Sequence, residues 1–413
     1  MEFKTVCREL GWKEDLSWVL PLTCWEESEK AYPLENEKEG LYFLQDGFFD
    51  QYLPYYKMDT RDMGEKIKRV AGIVRNSPAL CHVIWHLHFA LFRSETFHIF
   101  NDIPLPAPFA DREDLGLFYR IIAMSNYPLL EKAYAKLGIP HSYLDNIFAT
   151  YTPIPSKFGH TANGRYGLGA RALYWGRRLL EGKIFQVGRL QYEIQEGVIP
   201  GGPFLFRGKN GDDVLIAPPR WRYDKNGVRL NDYDESAAVI TTFEDAGSFY
   251  KGRELLKNYQ LGEEITLSKE EYSPLLRQGD LVLDIHIPTG GKMTPSAVKE
   301  SLKGALEFFR TYLKREVKLF ICSSWILNYR WQELIPESNI AAFQKMGYGY
   351  QWPHREGLDG LSFIFGRADG DPATYPVCNS MQKVMQELYK REPLRVGGMI
   401  LTVERVKELL QDE

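Results

Sequence analysis

Along the first 180 positions, apolar residues recur every three or four places, the spacing that gives a helix one buried face. The pattern predicts helices over 7–20, 63–75, 80–91, 114–125, 127–137, 142–150 and 166–181. In the fifth of these, Leu129, Leu130, Ala133, Tyr134 and Leu137 share a face and Gly138 is placed to end it. Prolines at 104, 106, 153 and 155 interrupt the run. After Gly182 the period shortens. Residues 184–194 alternate as a strand, a Gly/Pro joint follows at 198–203, and short strand candidates such as 213–217 come next. The polar stretch 232–280 reads as loops and a helix.

From 280 to 365 the pattern is most regular. It predicts a buried strand at 281–288, a turn at 289–294, a helix over 296–314, a strand at 317–327, a helix over 339–346, and strands at 348–352 and 361–365. Thr294-Pro295 supplies a capping hydroxyl and a proline at the first helical position. The expected class is α/β with a mixed sheet, behind an all-α N-terminal domain. Domains are expected at 1–150 and 151–413.

Composition narrows the functions. A 413-residue chain exceeds what one core usually serves. With 51 basic against 55 acidic residues it lacks the basic footprint of a nucleic-acid binder. No stretch approaches the ~20 apolar residues that span a bilayer, and the N-terminus does not read as a secretory signal. Cys7, Cys24, Cys81, Cys322 and Cys378 are scattered and form no CxxC pair, so neither a disulfide framework nor a zinc ribbon is expected. Cytoplasmic residence, without membrane or nucleic-acid partners, is the expectation. Cys81, His82, His86 and His88 resemble a metal cluster, but the zinc-protease glutamate is missing, and hydrogen-bonded structural imidazoles are expected.

The order strand, Gly turn, helix, strand, helix, Gly-aromatic resembles the cofactor half of a GNAT acyltransferase. The likeness is sharpest at 338–348, Ser-Asn-Ile-Ala-Ala-Phe-Gln-Lys-Met-Gly-Tyr. The runs 188–193, 286–288 and 322–325 are similar to a bacterial group of GNAT-like acyltransferases with an added N-terminal domain. The resemblance implies an acyl-CoA co-substrate, acetyl-CoA above all, no metal, and an amine acceptor that is a small molecule or peptide. It implies that two central parallel strands, 281–288 and 317–327, splay around the acyl group. Asn339 would touch the pantetheine, and Trp325 would line the acceptor pocket. The usual pyrophosphate signature is absent, and Phe343 stands where the family often has a tyrosine acid. Both departures leave a second expectation, a GNAT-derived binding or regulatory module without turnover.

The residues offer matching chemistry. Thr289, Gly290, Gly291, Lys292, Met293 and Thr294 form a turn whose backbone N–H groups, at a helix N-terminus, suit a pyrophosphate. Backbone N–H groups near Ile287 and Thr289 are candidate oxyanion donors, whereas Pro288 has none. His286, near the end of its strand, is the expected base, and Asp284 alternates onto its face. Glu193 is the second base candidate, or else an ion-pair partner of Arg189 on the same strand face; Arg189 is also a substrate-binding candidate. Ser323, Ser324 and Tyr348 are candidate acids, and Cys322 reads as a buried apolar residue rather than a nucleophile. Asp284, His286 and His354 permit a third, metal-dependent reading.

Overall fold

The computed structural model describes residues 1–13, 16, 22–33, 41–56, 61–96, 101–150, 166–288, 291–356, 358–366 and 370–411; the side chains of 22, 149–150, 353–356 and 358–359 are excepted. The chain forms two compact units, Met1–Gln186 and Val187–Glu413.

The first unit is helical. Its centre is the helix Pro78–Phe92, opened by Ser77, whose hydroxyl accepts from the Leu80 N–H at 3.3 Å. Nearly every residue of this helix is buried, so it needs cover on all sides. Phe3–Leu10, Trp25–Lys30, Arg61–Arg75, Arg112–Met124 and Leu173–Leu180 supply it. The imidazoles along it are engaged. His82 meets Glu29 at 2.8 Å, His86 meets Ser28 at 2.7 Å, and His88 meets Ser125 at 2.7 Å. Two predicted helices are shorter than expected. Gly11, at φ 72°, ends the first after Leu10, and the last begins at Leu173, the low helix propensity of Gly167 and Gly169 keeping the preceding turn out of it.

A six-stranded mixed sheet runs through the second unit, its first strand beginning just before the division at Gln186. Its strands are β1 (Ile184–Val187), β2 (Leu190–Glu196), β3 (Leu281–His286), β4 (Val317–Ser324), β5 (Tyr348–Glu356) and β6 (Arg395–Thr402), in the order β1-β2-β3-β4-β6-β5. β3 and β4 are parallel neighbours; their outer partners, β2 and β6, run antiparallel to them. Helices Pro295–Tyr312 and Val403–Gln411 pack on the sheet. Val282, Leu319, Ile321, Tyr350 and Ile400 form a core with Leu205, Leu215 and Leu255 of a second, antiparallel sheet. No helix among the described residues is long and apolar enough to cross a membrane.

Three expectations are corrected here. The strand expected at 184–194 is a hairpin, because Gly188 at φ 60° turns the chain between β1 and β2. The stretch 232–280 holds strands, among them Phe249–Leu255 and Leu261–Ser268, and no helix among its described residues. Those strands are half-exposed on both faces, so they carry no apolar alternation to read. Leu358–Phe365 is a helix, its short apolar run being equally compatible with either state.

Candidate functional site

Pairing between β3 and β4 runs from Leu281↔Val317 to Asp284↔Ile321 and stops there. β3 nevertheless continues to His286, paired on its other edge with Gln191, and β4 continues to Ser324, paired with Gly397. The strands therefore leave each other without leaving the sheet. Beyond Asp284 and Ile321 their facing edges have no ladder partner in one another, and backbone groups so exposed are the ones a ligand can pair with. The Ile287 N–H lies just past the end of β3.

The antiparallel β2–β3 register sets Glu193 opposite Asp284 and diagonal to His286, all on one face. His286 Nε2 lies 2.8 Å from Glu193 Oε2, and Gln195 donates to Glu193 Oε1 at 3.3 Å. The Glu193 side chain is 9% exposed and that of His286 32%, so the imidazole forms the accessible end of a buried pair. A desolvated carboxylate requires such partners. The ligand atoms of Glu193, Asp284 and His286 lie within 4.8 Å of one another, a spacing that could also hold a cation. The side chain of His354, invoked in the metal-dependent reading, lies outside the described residues.

Ser323 alternates onto the same face and remains exposed, accepting the Trp352 indole N–H at 2.7 Å. Cys322 points to the other face and is fully buried. Desolvation, with Asp284 adding to it, pushes its thiol well above the ordinary value, which removes it as a nucleophile. Tyr348 stands opposite Ile400, toward the start of β4, and its hydroxyl faces Asp213 Oδ2 at 3.4 Å. That leaves it out of the Ser323 row. Phe343 is buried in the core.

Residues 291–294 of the expected turn lead into the helix Pro295–Tyr312, whose Ala297 N–H is capped by Thr294 Oγ1 at 3.3 Å. Thr289 and Gly290 lie outside the described residues. Gly291 has φ 65°, Lys292 is exposed and Met293 half-buried. The expected pairing of Arg189 with Glu193 does not form, since Arg189 occupies the β1–β2 turn. Arg189 donates to the Pro288 carbonyl at 2.9 Å, and its Cδ lies 3.5 Å from where a Cβ on Gly291 would sit. Burial lowers the pKa of its guanidinium. Asn339 is exposed at the start of the short helix Asn339–Gln344. Trp325 follows β4 directly, edge-on to Trp331 and stacked on Phe363 at centroid distances of 6.4 and 6.5 Å.

Sequence reading passed over Tyr350, Trp352 and the glycines around them. The available signal was the alternation Tyr348-x-Tyr350-x-Trp352 within one strand.

A family model described as GNAT-like C-terminal domain matches residues 184–399. No curated protein sequence matches the chain. Among solved structures, the chain is similar to an acyltransferase in complex with decanoyl-CoA, at TM-score 0.59 and 16% identity, over 97% of this chain and 99% of that one. It is similar also to a mutant acyltransferase in complex with octanoyl-CoA, at TM-score 0.57 and 16% identity, over 97% and 99%. An acyltransferase in complex with decanoyl-CoA and teicoplanin matches at TM-score 0.54 and 16% identity, over 98% and 100%.

Proposed function

The chain belongs to the family defined by the GNAT-like C-terminal domain, and from that premise we propose that it transfers an acyl group, preferably acetyl, from a CoA thioester to an amine of a small-molecule or peptide acceptor. One observation carries this reading: the parting of β3 and β4 beyond Asp284 and Ile321, with the His286–Glu193 pair at its edge. The acyltransferases of similar fold hold octanoyl- or decanoyl-CoA, and one also holds teicoplanin, which supports the donor and the kind of acceptor.

In the proposed reaction, CoA lies with its pyrophosphate against Gly291, Lys292 and Arg189 and its pantetheine along β3, within reach of Asn339. The acceptor nitrogen attacks the thioester carbonyl. Glu193, 2.8 Å from Nε2, orients the imidazole of His286, which takes the ammonium proton. The Ile287 N–H stabilises the oxyanion. The tetrahedral intermediate then collapses, the C–S bond breaks, and CoA leaves as a thiolate, which needs no strong acid. Ser323 and Trp325 border the acceptor side.

His286→Ala should lower CoA release with a productive amine by about 10²-fold or more, with the CoA dissociation constant little changed. An unchanged rate removes His286 from the mechanism. Phe343 supports the second reading, a module without turnover. Tight acyl-CoA binding with no CoA release across a panel of amines would select it.

A further inference from the structure

Resting on the acyl-transfer reading above, we infer that Trp352, hydrogen-bonded to Ser323, and Tyr350 beside it wall off the wedge on the His286 face and restrict the donor to short acyl groups. The register puts Tyr350 opposite Gly398, and Gly398 opposite Ser323. One row thus crosses three strands, just beyond the point where β4 loses its pairing with β3. Gly398 has no side chain to keep the ring away, and a Cβ there would sit 2.2 Å from the Tyr350 ring. The ring therefore lies across Gly398 of β6, the residue paired with Ser323. Trp352, two residues along on the same face, donates its indole N–H to Ser323 Oγ at 2.7 Å, with its ring 6.0 Å from that of Tyr350.

The opposite side of this wall is equally close. A Cβ on Gly201 would meet the Trp352 ring at 2.8 Å, and one on Gly202 would approach Tyr350 Oη at 3.2 Å. Trp221 adds a third ring, stacked on Tyr350 at 6.3 Å. Beneath the rings Val282, Ile321 and Ile400 are buried. On the reverse face of the sheet Tyr192, Ile285, Phe320 and Cys322 are buried. An acetyl group can end inside the wedge. A longer chain must displace Trp352, the half-buried member of the wall, since Tyr350 is locked between Gly398 and Gly202.

The test is calorimetric titration of the full chain with CoA, acetyl-CoA, octanoyl-CoA and decanoyl-CoA. Buried methylenes normally strengthen binding, so weaker binding by the longer thioesters is diagnostic. The unsubstituted protein should bind octanoyl- and decanoyl-CoA about tenfold or more weakly than acetyl-CoA. Trp352→Ala should erase that difference while leaving acetyl-CoA affinity within about twofold. Trp352→Leu is the second variant should the alanine protein fail to fold, and should relax the preference in the same direction. Octanoyl-CoA binding as tight as acetyl-CoA in the unsubstituted protein, or a preference unchanged in the folded variants, overturns the wall. Failure of all four ligands to bind instead overturns the donor reading on which it rests.

Discussion

His88 shows how a single residue couples burial to solution behaviour. It is fully buried between Ser125 and Arg93, and the Arg93 Nε–H points at its Nε2 at 3.3 Å. Nε2 therefore accepts, Nδ1 carries the proton, and the ring is neutral. Desolvation, reinforced by the Arg93 charge, pulls its pKa from 6.5 down to about 3. The unfolded chain binds this proton near 6.5 while the folded chain refuses it until about 3. Stability is therefore fully present above the unfolded value and falls as pH drops between the two. The expected loss by pH 4.5 is up to about 3 kcal/mol, and urea unfolding at pH 7 and 4.5 should show His88→Gln with a smaller pH difference than the parent chain. Gly398 makes a different point. Gly398→Ala puts a methyl into the Tyr350 ring and should cost about 1–3 kcal/mol, read as a lowered urea midpoint with unchanged slope. The site was partly legible at this scale: His286, Glu193 and Asp284 were selected from strand position and residue type, and they do converge. The pairing weighed for Arg189 with Glu193 and the place of Tyr348 were not legible, because a hairpin turn sets Arg189 off the Glu193 strand face and the strand register sets Tyr348 outside the Ser323 row.

At the scale of elements, helix signals read best where capping is local. Thr294-Pro295 predicts the start of the helix Pro295–Tyr312, and the hydroxyl does cap it. Thr294→Ala should cost about 1 kcal/mol in chemical denaturation. It should also weaken CoA binding if the pyrophosphate meets the same helix end; an intact affinity would separate the cap from the ligand. Strands read well where a continuous apolar run is buried on both faces, as in β3 and β4. They read poorly in 232–280, where both faces are half wet, and in Leu358–Phe365, where a short apolar run suits a helix equally. β6 was missed although Arg395–Thr402 carries a clear apolar run, since its place between β4 and β5 is a matter of topology.

For the molecule as a whole, a ligand that binds the folded state alone raises its stability by mass action. CoA at about one hundred times its dissociation constant should add roughly 2.7 kcal/mol, seen as a rise in melting temperature of about 5–10 °C. Absence of any shift with CoA and acetyl-CoA would count against the donor reading. What the sequence determined by itself was whatever rests on near neighbours in the chain: the helical character of the first unit, the cap at Thr294, the strands within 281–288 and 317–327, and the residue types at their ends. What the tertiary structure decided was every relation between strands distant in sequence. The ladder between β3 and β4 stops at Asp284, Glu193 comes opposite Asp284, and Tyr350 lies across Gly398. Backbone register fixes these, and register depends on long-range pairing that local propensity does not encode.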